Sequence, residues 1–180
     1  MVYIMLAEGF EEIEALSVVD ILRRGEVDAK TVSVYNTPMV CGAHGIEVKA
    51  DIMFDDIEND IDAIVLPGGI PGTPNLQSNK NLEKLILDCA AKGIFVAAIC
   101  AAPMILGELN LLENRVATCY PSFEKHLKGA ILSEDRVCVD GKFITSRGAG
   151  TAHDFAFTLL KLLKNPEIKN TIREGMLYDI

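Results

Sequence analysis

Cys100 is the residue whose type and setting carry the most chemistry. The run Ile94-Phe95-Val96-Ala97-Ala98-Ile99 is short and wholly apolar, as a central strand requires, and Cys100-Ala101-Ala102-Pro103 follows it directly. Proline in a first helical turn loses nothing by lacking an amide hydrogen, so the sequence predicts a sharp strand-to-helix turn with Cys100 on it. A thiol in that position projects into the crevice at the carboxyl edge of a parallel sheet, where α/β folds bind ligands. Free amides and a helix N-terminus there are expected to lower its pKa from about 8.5 toward neutrality. The Ala101 N–H can face a developing oxyanion, and Gly69, in the loop Pro67-Gly68-Gly69-Ile70-Pro71-Gly72, is a candidate second donor. By position alone, a small buried hydrophobe is an equally good reading of Cys100.

The elements that must hold this turn alternate along the chain. Residues 2–6 read as a strand, 11–24 as an amphipathic helix with acidic residues at its start and Arg23-Arg24 at its end, and 29–35 as a second strand. This β-α-β order implies parallel pairing. Residues 41–45 read as a turn between two short strands, 55–57 as a loop, 63–66 as a buried strand and 79–92 as a helix closed by Gly93. Residues 116–118 form another short strand, and 136–140 with 142–145 flank Asp140-Gly141, a hairpin signal that makes the sheet mixed. A helix over 151–164 stops before Pro166, and the tail holds a short helix and a frayed end. No linker or repeat interrupts residues 1–180, which are expected to form a single domain.

The charge of -9 argues against nucleic acid or an anionic membrane as partner, and no apolar stretch is long enough to span a bilayer. Residues 2–6 lack the flank and length of a signal peptide, so a cytoplasmic setting is expected. The five cysteines are widely spaced without a C-x-x-C pair, which indicates reduced thiols rather than a disulfide framework or zinc knuckle. Cys89 falls on the apolar face of a helix. Cys41, Cys119 and Cys138 lie in or beside strands and read as core or loop thiols, with Cys119 close to the edge where a site could form.

Several motifs together carry a resemblance. Ala97-Ala98-Ile99-Cys100-Ala101-Ala102-Pro103, Leu66-Pro67-Gly68-Gly69, Glu8-Gly9-Phe10-Glu11-Glu12-Ile13-Glu14, Ala117-Thr118-Cys119-Tyr120-Pro121 and Thr145-Ser146-Arg147-Gly148-Ala149-Gly150-Thr151 resemble, in order and spacing, the ThiJ/PfpI superfamily, specifically its DJ-one branch. The likeness covers essentially the whole chain. It implies a flavodoxin-like three-layer sandwich, mostly parallel with helices on both faces and a small hairpin, and a homodimer without metal or cofactor. It also implies that Glu14 reaches the Cys100 sulfur, as hydrogen-bond donor when protonated or as base when ionised. Without the resemblance, Glu14 in its acidic run reads as a solvated helix carboxylate.

Two departures narrow what carries over. Many relatives have a histidine where this chain has Tyr120, so proton transfer is left mainly to Glu14. The protease-like branch has a histidine directly after the cysteine, where this chain has Ala101. His44, His126 and His153 read as surface or capping residues, and the histidine-glutamate pair of glutamine amidotransferases is missing. Arg147 resembles part of the family's pocket wall, holding an anion or carbonyl oxygen or a structural ion pair. The resemblance thus implies a cofactor-independent glyoxalase or deglycase acting on methylglyoxal, glyoxal or their early glycated adducts. A redox-sensing or chaperone-type stress protein with Cys100 oxidised to sulfinate is the alternative, and a peptidase- or amidase-like hydrolase ranks third.

Overall fold

The computed structural model describes residues 1–178, built around a seven-stranded sheet. In chain order the elements are β1 (Val2–Leu6), α1 (Glu12–Arg24), β2 (Ala29–Ser33), β3 (Met39–Cys41), β4 (Glu47–Lys49), β5 (Ile52–Met53), β6 (Ala63–Leu66), α2 (Gly72–Ser78), α3 (Lys80–Ala91), β7 (Phe95–Ile99), α4 (Pro103–Glu108), β8 (Val116–Ala117), β9 (Ile131–Leu132), β10 (Val137–Asp140), β11 (Phe143–Ser146), α5 (Ala152–Leu163) and α6 (Pro166–Gly175). The sheet runs β10-β11-β7-β6-β1-β2-β5 and is parallel except for β10, which pairs antiparallel with β11 across Asp140-Gly141. The mixed sheet and its hairpin are as the sequence implies.

Side chains alternate across the strands and bury both faces. Ile4, Leu6, Val65, Ala97 and Ile99 pack beneath α1 and α5, with Val18, Leu22, Phe155 and Leu159 opposite them. Tyr3, Met5, Ile64, Leu66, Val96 and Ala98 face the other way, onto Leu82, Ile86 and Cys89 of α3 and Ile105 and Leu106 of α4. The result is the expected three-layer sandwich. Register then brings the chemistry together: Leu66 pairs with Ala98 and Ser146 with Ile99, so β6, β7 and β11 end side by side.

Two local expectations are revised. Residues 54–56 form one tight helical turn, where a loop over 55–57 was expected, with Asp56 accepting the Met53 N–H at 3.2 Å. An additional helix, α2, runs from Gly72 to Ser78, and Asn79 separates it from α3 by capping the Asn81 and Leu82 amides, both at 3.0 Å.

Candidate active site

Cys100 sits one residue beyond β7 in left-handed backbone, at φ 64, a conformation that costs a β-carbon-bearing residue energy and recurs at functional turns. The turn is held from both sides: the Cys100 N–H donates to Ser146 O at 3.0 Å, and Tyr120 N–H donates to Cys100 O at 2.8 Å. The thiol is half-buried and packs on the α1 side of the sheet. The backbone amides of Gly69 and Ala101, the two donors proposed from the sequence, both act on the sulfur in the direction that favours its charged form. Gly69 has φ 94, and a β-carbon there would lie 2.4 Å from Gly9 O, so the donor can be presented by glycine alone.

Glu14 projects from the first turn of α1 into the same space and is fully buried. Its Oε2 accepts the Gly68 N–H at 2.7 Å, while Oε1 has no hydrogen-bond partner of its own. Gly68 is the hinge between the two reactive groups. A β-carbon on it would stand 2.6 Å from the Cys100 Cβ and 2.7 Å from Glu14 Oε2, so any larger residue would wedge acid and thiol apart.

Burial raises the Glu14 carboxyl to about 7, against the Gly68 amide and the Cys100 contact, which pull it down, while the nearby Glu11 charge adds to the rise. Burial likewise pushes the Cys100 thiol up to about 12, reinforced by the Glu14 charge and hydrogen bond and opposed by the Ala101 and Gly69 amides. This corrects the expectation of a thiol shifted toward neutrality. The helix that should have lowered it is only six residues long and begins at Pro103, and the adjacent carboxylate opposes a second negative charge. Thiol and carboxyl titrate as a pair: once the proton resides on Glu14, the Coulomb opposition vanishes and a neutral acid can donate to a thiolate.

The remaining candidates border this centre. Tyr120 is half-exposed, and its ring lies 3.2 Å from where a Gly148 β-carbon would stand, itself 3.9 Å from the Cys100 Sγ. Tyr120, Arg147 and Gly148 line a shallow depression beside the thiol. Among the described residues, neither the Tyr120 hydroxyl nor the Arg147 guanidinium hydrogen-bonds to the sulfur. Arg147 makes no ion pair there either, which leaves the structural-bridge reading without a partner.

The histidines lie elsewhere, bonded to Glu12 (His44, 2.8 Å), bonded to Glu108 (His126, 3.0 Å) or stacked on Tyr178 (His153, 5.6 Å). Glu11, Glu12 and His44 gather three potential metal ligands within 4.8 Å, but the His44 backbone and ring already bind Glu12, and an ion pair accounts for the cluster. Cys119 packs on the opposite face of the sheet from Cys100, which removes it as a partner thiol. Sequence reasoning missed the Gly68 amide as the anchor of Glu14. The Pro67-Gly68-Gly69 run was the available signal, since two consecutive glycines at a strand end mark close backbone approach.

The sequence profile of the DJ-1/PfpI family matches residues 1–162. The chain belongs to that family. Protein DJ-1 homolog B of Arabidopsis thaliana is 44% identical over 92% of the chain, and the Glutathione-independent glyoxalase DJR-1.2 of Caenorhabditis elegans is 31% identical over 92% of the chain and 89% of its own length. The oxidized form of Toxoplasma gondii DJ-1 superposes with a TM-score of 0.94 at 36% identity, over 99% of this chain and 98% of that one. The chain spans only 39% and 43% of the two Arabidopsis relatives, DJ-1 homologs B and A. The family includes a protein named as a glyoxalase, and its fold is the one described above.

Proposed function

We propose that this protein is a cysteine-dependent, cofactor-independent glyoxalase or deglycase acting on methylglyoxal, glyoxal or their early adducts. The observation that carries the reading is the buried Glu14 carboxyl, raised to about 7, beside a Cys100 sulfur that two backbone amides address. A group poised near neutrality can accept and return a proton within one turnover. The Cys100 sulfur adds to the aldehyde carbon while the Gly69 and Ala101 amides stabilise the oxyanion, and the thiol proton passes by way of Glu14 to the new alkoxide, which leaves a neutral hemithioacetal and an ionised Glu14. Ionised Glu14 then removes the carbon-bound hydrogen of the hemithioacetal as a proton. The resulting enediol is reprotonated on the neighbouring carbon to give a lactoyl thioester, and water releases lactate and the thiol. The name of the Caenorhabditis elegans relative supports this class of reaction.

A homodimer, residues 1–180 acting as one domain, and a cytoplasmic setting belong to the same proposal. Ile13 and Leu16 on α1 and Ile46 beside the β3–β4 turn are exposed, and His44 ties that turn to α1, which makes an apolar surface suited to a second copy. Among the described residues, no helix is long and apolar enough to cross a membrane. A peptidase-like reading has no histidine beside Cys100 to support it.

The test is methylglyoxal consumption with product identification. Lactate formed in proportion to methylglyoxal consumed is the expected result; turnover no faster than buffer rejects the carbonyl enzyme.

One observation favours a redox role as the second reading. Cys100 is half-buried rather than sealed, and Gly69, Ala101 and a protonated Glu14 could all donate to the oxygens of a sulfinate. Mild peroxide should then add two oxygen atoms to the intact protein at Cys100, with none gained by Cys100→Ser. Oxygen uptake spread over Cys41 and other sites would sink this reading.

A further inference from the structure

Gly148 borders the depression beside Cys100, and the side chain it lacks marks a path to the sulfur. A β-carbon placed on it would have three nearest neighbours: Cδ2 and Cε2 of the Tyr120 ring, at 3.2 and 3.7 Å, and the Cys100 Sγ, at 3.9 Å. One carbon at that point would touch the ring and stand against the sulfur at once. The space beside Gly148 is therefore a narrow passage with an aromatic wall, and the thiol lies at its end. Another flank of Cys100 is closed, because Gly68 packs so tightly against it that a β-carbon there would stand 2.6 Å from the Cys100 Cβ.

Both walls of the passage are held in place. The Gly148 N–H donates to Thr151 Oγ1 at 3.1 Å, and Gly148 O accepts the Thr151 N–H at 2.8 Å. Thr151 Oγ1 lies in turn 2.7 Å from the buried Ser146 hydroxyl. Tyr120 is anchored by its main chain, through its N–H on Cys100 O at 2.8 Å. Its half-exposed ring is braced by Phe123, which it meets edge-on with centroids 6.5 Å apart.

We propose that Gly148 and Tyr120 are the specificity-determining pair of the Cys100 site: the passage between them admits an electrophile whose attacked carbon is unbranched and refuses one that carries a further methyl group there. One extra carbon in a tight apolar space discriminates by about 10–200-fold. The substrate class that follows rests on the carbonyl reading of Cys100. The passage directs the sulfur to the aldehyde end of a 2-oxoaldehyde and refuses 1,2-diketones, in which both carbonyl carbons are substituted.

Alkylation of Cys100 by iodoacetamide and by 2-iodopropanamide, located by peptide mass mapping, tests the proposal. Both reagents join a carbon to sulfur with loss of iodide, and they differ by one methyl on the attacked carbon. Glutathione supplies the intrinsic rate ratio of the two. In the wild-type protein the preference for iodoacetamide at Cys100 is expected to exceed that ratio at least about tenfold. Tyr120→Ala should return the preference to within about threefold of the glutathione value, whereas Tyr120→Phe, which keeps the ring, should retain the wild-type preference. Gly148→Ala should slow both reagents at least about tenfold, with circular dichroism confirming that each variant is folded. A wild-type preference equal to that of glutathione overturns the proposal. So does an unchanged preference in folded Tyr120→Ala, or a Cys100 that iodoacetamide does not modify. Alkylation needs no turnover, so the passage is judged whether or not methylglyoxal is consumed, and failure of either reading leaves the result for the other in plain view.

Discussion

Cys100→Ala is expected to abolish lactate formation from methylglyoxal, a loss of at least about 10⁴-fold in kcat, because covalent addition has no substitute nucleophile in this fold. Cys119 faces the opposite side of the sheet, and Cys41 lies in β3 with its thiol on Gly42 O at 3.6 Å. The variant should stay folded: alanine at φ 64 carries the same left-handed backbone cost as cysteine, and the turn is held by the Ser146 and Tyr120 main-chain bonds rather than by the thiol. Single-turnover product analysis checks the result. Residual lactate within tenfold of wild type would show that the carbonyl chemistry proceeds by another group.

The strand, turn and helix around Cys100 are legible because an uninterrupted apolar run of six residues ahead of an Ala-Ala-Pro segment leaves little else to form. The hairpin at Asp140-Gly141 is legible for the same local reason. Helix α2 is not, since its first turn carries Gly72 and Pro74 and looks like more of the preceding loop; it forms because Leu76 seals against the sheet. Glu14 is the instructive residue. In a row with Glu11 and Glu12 it looks solvated, yet it stands four residues before Val18 and seven before Ile21, on the apolar stripe of α1. An acid on a buried stripe is the sequence signal of a functional carboxyl, and here the family resemblance supplied what the periodicity already contained. The thiol pKa was misjudged because its sign depends on Glu14 lying against the sulfur and on the shortness of α4, both tertiary facts.

The same buried acid gives the second large effect. Glu14→Gln should lower turnover by about 10²–10⁴-fold, the usual range for a lost general base, while making the protein more stable at alkaline pH. A carboxyl that titrates near 4.5 when unfolded and about 7 when folded binds its proton more tightly in the native state. Between those values the native state holds more protons than the unfolded one, so wild-type stability falls as pH rises through that window and the full cost is felt above it. A shift of that size corresponds to at most about 3 kcal/mol. Glutamine keeps an acceptor for the Gly68 N–H but carries no charge, so it escapes the cost. Denaturant unfolding should therefore show little difference between wild type and Glu14→Gln near pH 4 and a clear advantage to the variant at pH 8. The thiol is also raised on folding, so its own loss of stability sets in as pH rises through the unfolded thiol value, above the pH 8 measurement. An advantage that is the same at both pH values would mean that Glu14 is not the poised acid, and the proton-transfer role assigned to it would fail with that result. An inactive variant that is more stable only at the higher pH would mark Glu14 as a group retained for chemistry at the expense of the fold.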